Sequence, residues 1–347
     1  MTWSRPRQLP GPPAAIRRGQ RERDTDIIPI FMEDPARPLR YSIVIPVYKS
    51  AGFVEETIDR TTAALEAEGL DHEIVLVDDG SPDATWPVLE RKARENPRIK
   101  AIRLMRNYGQ HIAVVCGLNN ITGDYAVTMD DDLQNPPEEI RRLVDKAAEG
   151  GYDLVVGRFQ SKKHSLTRRL GSRLVAWLNE RVFGKPRDFV ATNFRLIRRD
   201  VVDRICAHRT HFPYVTGLAL LYSAHRANVL VEHRARREGT SGYGLAKILS
   251  LVLAILFNYS GFLLHMMALL GLVLAGSSFL LGLVVFVRRL VLGTVAPGWA
   301  SLVIVVAFFN GFLFLMISIV GEYVIRLQHQ LSVPEPYAIS TIAGRER

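Results

Sequence analysis

The chain is poor in cysteine. Among its 347 residues only Cys116 and Cys206 carry thiols, and neither has metal-type spacing. A disulfide framework and a cysteine-built metal site are therefore excluded, and both thiols read as reduced core residues. Several enzyme signatures are also missing. No GxGxxG opens a helix and no Walker lysine motif is present, so dinucleotide and P-loop readings fail. Neither HExxH nor GxSxG occurs. No helix-turn-helix, zinc-finger or RNP signature accompanies the net charge of +9, which argues against nucleic acid as a partner. The basic residues gather beside apolar segments instead, so anionic lipid headgroups and phosphates are the expected partners.

Charge itself is missing from two long stretches. Gly261 to Val287 holds no charged residue and only His265 as a titratable one, and Gly298 to Gly321 is likewise uncharged. As a helix the first would span about 40 Å at ~1.5 Å per residue. Each exceeds the roughly 20 apolar residues that cross a bilayer core. Soluble core helices rarely go uncharged for so long, so transmembrane helices are expected over 261–287 and 298–325. An apolar export signal is absent as well. Residues 1–40 are rich in proline and arginine (Pro6, Pro10, Pro12, Pro13, Arg17, Arg18) and read as a disordered tail. The polar domain is then expected to stay cytosolic. Lys and Arg before the first span and Arg326 after the second agree with that, and with a cytosolic tail over 326–347. Arg288 and Arg289 in the connecting loop oppose it.

What is present begins at residue 41. Tyr41–Val47 reads as a buried strand, Val54–Leu65 as an amphipathic helix, and Glu73–Val77 as a strand ending in Asp78-Asp79-Gly80-Ser81. Thr85–Glu95, Gln110–Asn119 and Glu138–Glu149 read as helices, and Ile99–Leu104, Tyr125–Met129 and Asp153–Gly157 as strands. Successive βα units predict a mostly parallel sheet with helices on both faces. Ligands of such sheets bind outside the carboxyl ends of the strands. Both acidic clusters, Asp78-Asp79 and Asp130-Asp131-Asp132, fall at such ends. Alternation puts Asp130 and Asp132 on one side, suited to a hard cation such as Mg²⁺ or Mn²⁺. Asp131 points the other way, and its replacement should hurt least.

Residues 161–182 carry an apolar stripe (Leu166, Leu170, Leu174, Trp177, Leu178) beside Lys162, Lys163, Arg168, Arg169 and Arg173. This reads as an amphipathic, membrane-facing helix. A second interfacial helix is expected over 241–260.

Ile45-Pro46-Val47-Tyr48, Val77-Asp78-Asp79-Gly80-Ser81 and Asp130-Asp131-Asp132-Leu133-Gln134-Asn135-Pro136 resemble the successive motifs of family 2 glycosyltransferases of the GT-A fold. Within these, the chain is most similar to polyprenyl-phosphate glycosyltransferases, the group of dolichyl-phosphate mannose synthase and undecaprenyl-phosphate sugar transferases. Asn193-Phe194-Arg195, Arg237-Glu-Gly-Thr-Ser241 and Gly321-Glu322-Tyr323 extend the resemblance over roughly residues 41 to 337. It implies a Rossmann-like GT-A catalytic domain (41–240) followed by interfacial helices and a C-terminal two-helix transmembrane hairpin. It also implies an inverting, metal-dependent enzyme at the inner membrane. The sugar would pass from a nucleotide-sugar donor to a polyprenyl phosphate, with undecaprenyl phosphate favoured, and a homo-oligomer is expected.

The same resemblance assigns Asp130, Asp132 and Gln134 to the metal and diphosphate, with Asp131 among the nucleotide-binding residues. Asp79 and Asp78 would bond the nucleobase, with Pro46 and Tyr48 as its wall. A strand-end turn is the competing reading of the acidic pair. Arg106 and Asn107 would meet diphosphate or sugar oxygens, unless Asn107 caps the next helix. Asp188 stands where the family has its base or sugar-orienting group, against a structural pairing with Arg187 or Arg195. Arg158, Arg169, Arg173, Arg237 and Ser241 form a set expected to hold the lipid phosphate. Two departures stand out: Gly242-Tyr243 where many relatives carry Lys-Tyr, and Lys49-Ser50 where they carry Asn-Glu. Lys247 or the arginines would supply the missing cation. Two rival readings remain. A processive polysaccharide synthase would carry a Gln-x-x-Arg-Trp motif, absent here. A non-catalytic membrane protein with a transferase-like domain would have no need of intact Asp130, Asp132 and Gln134.

Overall fold

The computed structural model describes residues 38–159, 166–210, 212–234, 245–260, 262–292, 298–332 and 336–344. The expected disordered tail lies almost wholly outside these. Its last residue, Arg40, already belongs to strand β1 (Arg40–Val47).

β1 is followed by α1 (Val54–Ala67), β2 (Asp71–Asp78), α2 (Thr85–Glu95), β3 (Ile99–Leu104), α3 (Gln110–Asn119) and β4 (Tyr125–Thr128). A 3-10 turn at Pro137–Glu139 leads into α4 (Ile140–Gly150), then β5 (Leu154–Phe159) and α5 (Leu166–Phe183). β6 (Arg195–Arg198), α6 (Arg199–Ala207), α7 (Val215–Tyr222) and β7 (Arg226–Val231) complete this part. The described strands form one sheet in the order β7-β5-β6-β4-β1-β2-β3, with β8 (Ile339–Gly344) outermost beside β3. Neighbours run parallel except that β6 is antiparallel to β4 and β5, and β8 to β3. The expected mostly parallel α/β sheet is observed.

Alternation along the strands builds two cores. Ile43, Ile45, Val47, Ile74, Leu76 and Val127 pack on one face, beneath Ile58 of α1, Leu89 of α2 and Leu143 of α4. Val44, Val75, Val77 and Ala126 pack on the other, with Ala113 and Leu118 of α3 and Leu218 of α7. This period of 2 lets one strand serve both layers. Helix α3 is apolar nearly all round after its first turn, as a helix buried against a sheet must be. At Gly117 a Cβ would lie 2.4 Å from Cγ1 of Val44, so glycine is what brings α3 close to β1.

Two features open a crevice at the carboxyl ends. The chain steps from β1 outward to β2 and β3, then returns across to β4 on the far side of β1. That reversal is a topological switch point, where the loops after β1 and β4 diverge. Pro46 assists. It has no N–H to donate, and pairing of β1 with β4 ends at Val44.

The C-terminal part corrects one expectation. α8 (Leu245–Tyr259), α9 (Phe262–Leu292) and α10 (Trp299–Ser332) follow the sheet domain, so α10 runs well into the segment read as a tail. The chain then returns. Ile339–Gly344 pairs antiparallel with β3, Met105 N donates to Ala338 O at 3.0 Å, and buried Tyr337 accepts from Asn119 Nδ2 at 3.1 Å. β8 covers an edge of β3 that would otherwise stay open. Within the expected tail, residues up to Ser332 are therefore helix end and Ile339–Gly344 is sheet strand, and the sheet domain is not confined to 41–240. Among the described residues one window, Phe308–Ile325 in α10, is long and apolar enough to cross a bilayer.

Candidate active site

The carboxyl ends of β1, β2 and β4 converge through side chain-to-backbone bonds. In the β1–α1 loop, Lys49 N donates to Ser81 Oγ at 3.0 Å and Ser50 N to Thr85 Oγ1 at 3.0 Å, which ties the loop to the one after β2. Ser50 Oγ in turn donates to Asp131 Oδ2, and Thr57 Oγ1 donates to the Asp131 carbonyl at 2.7 Å. Among the described residues, the non-glycine residues with left-handed φ are Lys49 (56°) and Leu133 (54°), both in these loops. Such conformations cost about 1–3 kcal/mol each and concentrate at working sites.

Strand β4 ends at Thr128, so the triplet lies in the turn beyond it, and Asp130 has a different set of partners from Asp131. Gln110 Nε2, at the start of α3, donates to Asp130 Oδ1 at 2.6 Å, and Asn193 Nδ2 approaches the same oxygen at 3.5 Å. Asp132 accepts Gln134 N at 3.2 Å and also the Gln134 amide Nε2. The loop is closed from outside by Arg234 N donating to Gln134 O at 3.0 Å. Burial, with the neighbouring Asp132 charge second, pushes the Asp130 carboxyl up to about 6. Asp131 rises to about 7, mainly through burial and against the Ser50 bond. Clustered carboxylates of this kind favour either protons or a cation.

Beneath Asp130 lies a cavity of about 10 Å³ lined by Pro46, His111, Thr128 and Arg195, room for about one water. Arg195 is 2% exposed, donating from Nε to Thr128 Oγ1 at 3.1 Å and from Nη1 to Thr216 Oγ1 at 3.0 Å. Desolvation brings its pKa down to about 10, so it stays cationic at neutral pH. His111 is held neutral, at about 4, by burial and by the nearby Arg195 charge. Its ring meets Phe212 and Tyr214 edge-on.

The second acidic pair behaves differently. Asp78 is 0% exposed and Asp79 is 3% exposed. Asp79 accepts Tyr108 N at 2.7 Å on one oxygen and Gly109 N at 2.9 Å on the other. Asp78 accepts Ser81 N at 2.9 Å and lies 3.4 Å from Arg103 Nε. In the described residues Asp78 holds its own strand-end turn, and Asp79 holds the backbone that enters α3. Pro46 is buried and lines the cavity at Asp130, whereas Tyr48 is 42% exposed.

Gly80 has φ +66°, and a Cβ there would sit 2.5 Å from the Arg106 carbonyl carbon. The DDGS turn thereby packs against Arg106-Asn107, leaving both side chains exposed at the rim. Asn107 is not a cap, since α3 starts after Gly109 without a side-chain cap bond. Asp188 is exposed on the loop before β6, and among the described residues it pairs with neither Arg187 nor Arg195. Arg158 is exposed at the end of β5. Arg169 and Arg173 sit four residues apart on α5, hence on one face. Arg237 and Ser241 lie outside the described residues.

Gln110 and Ser50 were not assigned roles by sequence reasoning, Asn193 appeared only in a motif, and Arg195 appeared in that motif and as a candidate partner of Asp188. No local pattern marks Gln110, whose partner is 20 residues away. Among the described residues no group of three or more His, Cys, Asp or Glu side chains converges on one point. Any cation site here would rest on fewer carboxylates plus an amide oxygen.

Residues 42–206 match the family described as glycosyl transferase family 2. The chain is 36% identical over 307 residues to the undecaprenyl-phosphate 4-deoxy-4-formamido-L-arabinose transferase of Edwardsiella ictaluri, covering 87% of this chain and 93% of that one. It is 34% identical over 322 residues to the transferase of the same name from Yersinia enterocolitica, covering 91% and 97%. Among solved structures, it is similar to glucosyl-3-phosphoglycerate synthase from Mycobacterium tuberculosis at 18% identity and a TM-score of 0.46, over 63% of this chain and 76% of that one. On its identity to relatives matched over nearly their whole length, the chain belongs to glycosyl transferase family 2.

Proposed function

We propose that this protein transfers a sugar, with inversion, from a nucleotide-sugar donor to undecaprenyl phosphate at the cytosolic face of the inner membrane. The observation that carries the reading is the set of half-buried carboxylates, Asp130 and Asp132, at the switch-point crevice, on a sheet whose chain continues into long apolar helices. Relatives named as undecaprenyl-phosphate sugar transferases match across both parts.

The donor set suits Mg²⁺ or Mn²⁺. Asp130 and Asp132 are like charges close enough to raise the Asp130 pKa, and the Gln134 amide adds an oxygen beside them. Hard carboxylate and carbonyl oxygens are what these ions prefer. Bound at Asp130, Asp132 and Gln134, the ion would offset the charge of the diphosphate leaving group. Arg106, with Asn107 beside it, would meet the same diphosphate from the rim, and Tyr48 would flank the base. Asp131 would act one step back, holding the triplet to the β1–α1 loop through Ser50.

The acceptor phosphate is already an anionic nucleophile and needs little help from a base. Exposed Asp188, free of Arg187 and Arg195, would orient the sugar or take a proton. Bringing two anions together requires cations in the site. Arg158, Arg169, Arg173, Arg237 and Ser241 are proposed for that role, on the side facing the lipid.

The membrane arrangement follows from topology. α9 has 31 residues and α10 has 34, about 45 and 50 Å at ~1.5 Å per residue, each longer than a bilayer core. Because β8 rejoins the sheet that β1 to β7 began, an even number of crossings is expected between them. This supports a two-helix hairpin over one span, with α5 and α8 at the interface. A homo-oligomer remains part of the proposal.

The test uses the full chain in detergent with undecaprenyl phosphate and a panel of radiolabelled nucleotide sugars. One donor should yield a lipid-extractable product, lost on chelation and restored by Mg²⁺ or Mn²⁺. Asp132→Ala should cut transfer by about 10²–10³-fold, the scale on which one electrostatic group matters in a closed site. No product from any donor would overturn the reading.

A further inference from the structure

We propose that Gln110 and Asn193, backed by Arg195, are positioning residues: the two amides hold Asp130 by its Oδ1 and present its Oδ2 as a single preset ligand for the divalent cation. This rests on the metal-dependent reading above and goes further, to residues that do not themselves reach the ion.

The contacts are one-sided. Gln110 Nε2 at 2.6 Å and Asn193 Nδ2 at 3.5 Å both point at Oδ1, and Oδ2 takes no hydrogen bond from the described residues. The two amides come from different elements, one from the first residue of α3 and the other from the segment entering β6. The short Gln110 bond carries most of this grip, and the Asn193 amide adds a second, longer contact.

Arg195 supplies the charge behind this grip. It lies directly across from Thr128 in the β4–β6 register, two residues before Asp130. Its Nε and Nη1 are fixed by the Thr128 and Thr216 hydroxyls, and Thr128 Oγ1 in turn donates to Asn193 O at 2.6 Å. A buried guanidinium normally faces a carboxylate, and here the carboxylate lining the same small cavity is Asp130. Arg195, Thr128 and Asn193 therefore form one unit under the aspartate, with Gln110 closing it from α3. Groups of this kind around a ligating carboxylate fix its orientation, and losing one typically weakens metal affinity 10–100-fold.

A purely structural role for these side chains predicts something else: loss of stability, or of all ligand binding together. The decisive experiment titrates Mn²⁺ into the full-length protein with UDP as the nucleotide probe, reading free Mn²⁺ by electron paramagnetic resonance. UDP affinity without metal and the ligand-free melting temperature are measured alongside. Gln110 is exposed, so Gln110→Ala threatens the fold least. It should weaken Mn²⁺ binding by about 10-fold while metal-free UDP affinity and melting temperature stay at wild-type values. Asn193→Ala should act in the same direction, and Arg195→Lys, which keeps the charge, should lose less than Arg195→Met. Mn²⁺ affinity within twofold of wild type in both Gln110→Ala and Asn193→Ala overturns the inference, as does an equal loss of metal-free UDP binding. A wild type that binds UDP but never Mn²⁺ overturns the metal-dependent reading itself, and this inference falls with it.

Discussion

The carboxyl end of the sheet and the C-terminal helices solve opposite problems. At the sheet end, polar groups are buried: Asp78, Asp79, Ser50, Ser81 and Arg195 are all nearly inaccessible, and each is held by named partners. In α8 to α10, apolar groups are exposed, from Leu249 and Leu253 through Phe279 and Phe314 to Leu327. A water-soluble surface does not carry so extended an apolar patch. Under the proposed function the first region would receive charge and the second would meet lipid. A reaction joining a water-soluble, charged donor to a lipid phosphate draws on both.

The comparison breaks most readily on the helix side. Phe314, 71% exposed, lies inside the Phe308–Ile325 window. Phe314→Arg should cost insertion about 2.5–3.5 kcal/mol at the centre of a span. Membrane fractionation should then show the variant lost from, or depleted in, the membrane. Unchanged partitioning would mean that this face does not meet lipid. On the sheet side, Gly80→Ala forces a Cβ into the Arg106 backbone at a left-handed φ, which should destabilise the catalytic domain by about 1–3 kcal/mol. Denaturant titration reads that directly. Wild-type stability in the Gly80→Ala protein would show that the DDGS turn does not press on Arg106-Asn107.

A smaller effect sharpens the electrostatic half. Burial raises Asp131 to about 7, well above its ordinary value of 3.8. The folded state then holds a proton that the unfolded state has released, between about pH 4 and pH 7. Stability from this residue is present below pH 4 and declines as pH rises through that window. In the absence of divalent cations, Asp131→Asn should match wild type near pH 4 and gain melting temperature over it progressively up to pH 7. A difference independent of pH would remove the argument for a buried, charge-crowded triplet.

Legibility in the sequence followed the range of the interaction. α2, β3 and α3 have the bounds that periodicity predicts, because each is written in contiguous residues. The triplet's place just beyond a strand end was equally local. β8 was not legible: Ile339–Gly344 is short and partly polar, and becomes a strand only because β3 offers an edge more than 200 residues earlier, as the 218-residue separation of the Asn119–Tyr337 bond illustrates. Nor was the use of Asp79. Its partners are backbone N–H groups 29 and 30 residues away, and backbone donors leave no mark in the sequence. The grip of Gln110 and Asn193 on Asp130 was hidden for the same reason, since those amides meet it only after α3 and β6 dock on the sheet.

The most direct test of the whole account is mass analysis of the lipid phase after incubating membranes containing the wild-type chain with undecaprenyl phosphate and the active nucleotide sugar. The account predicts a single glycosyl undecaprenyl phosphate, of inverted anomeric configuration, absent with Asp132→Ala. The same product forming at wild-type rate in the Asp132→Ala protein would contradict it.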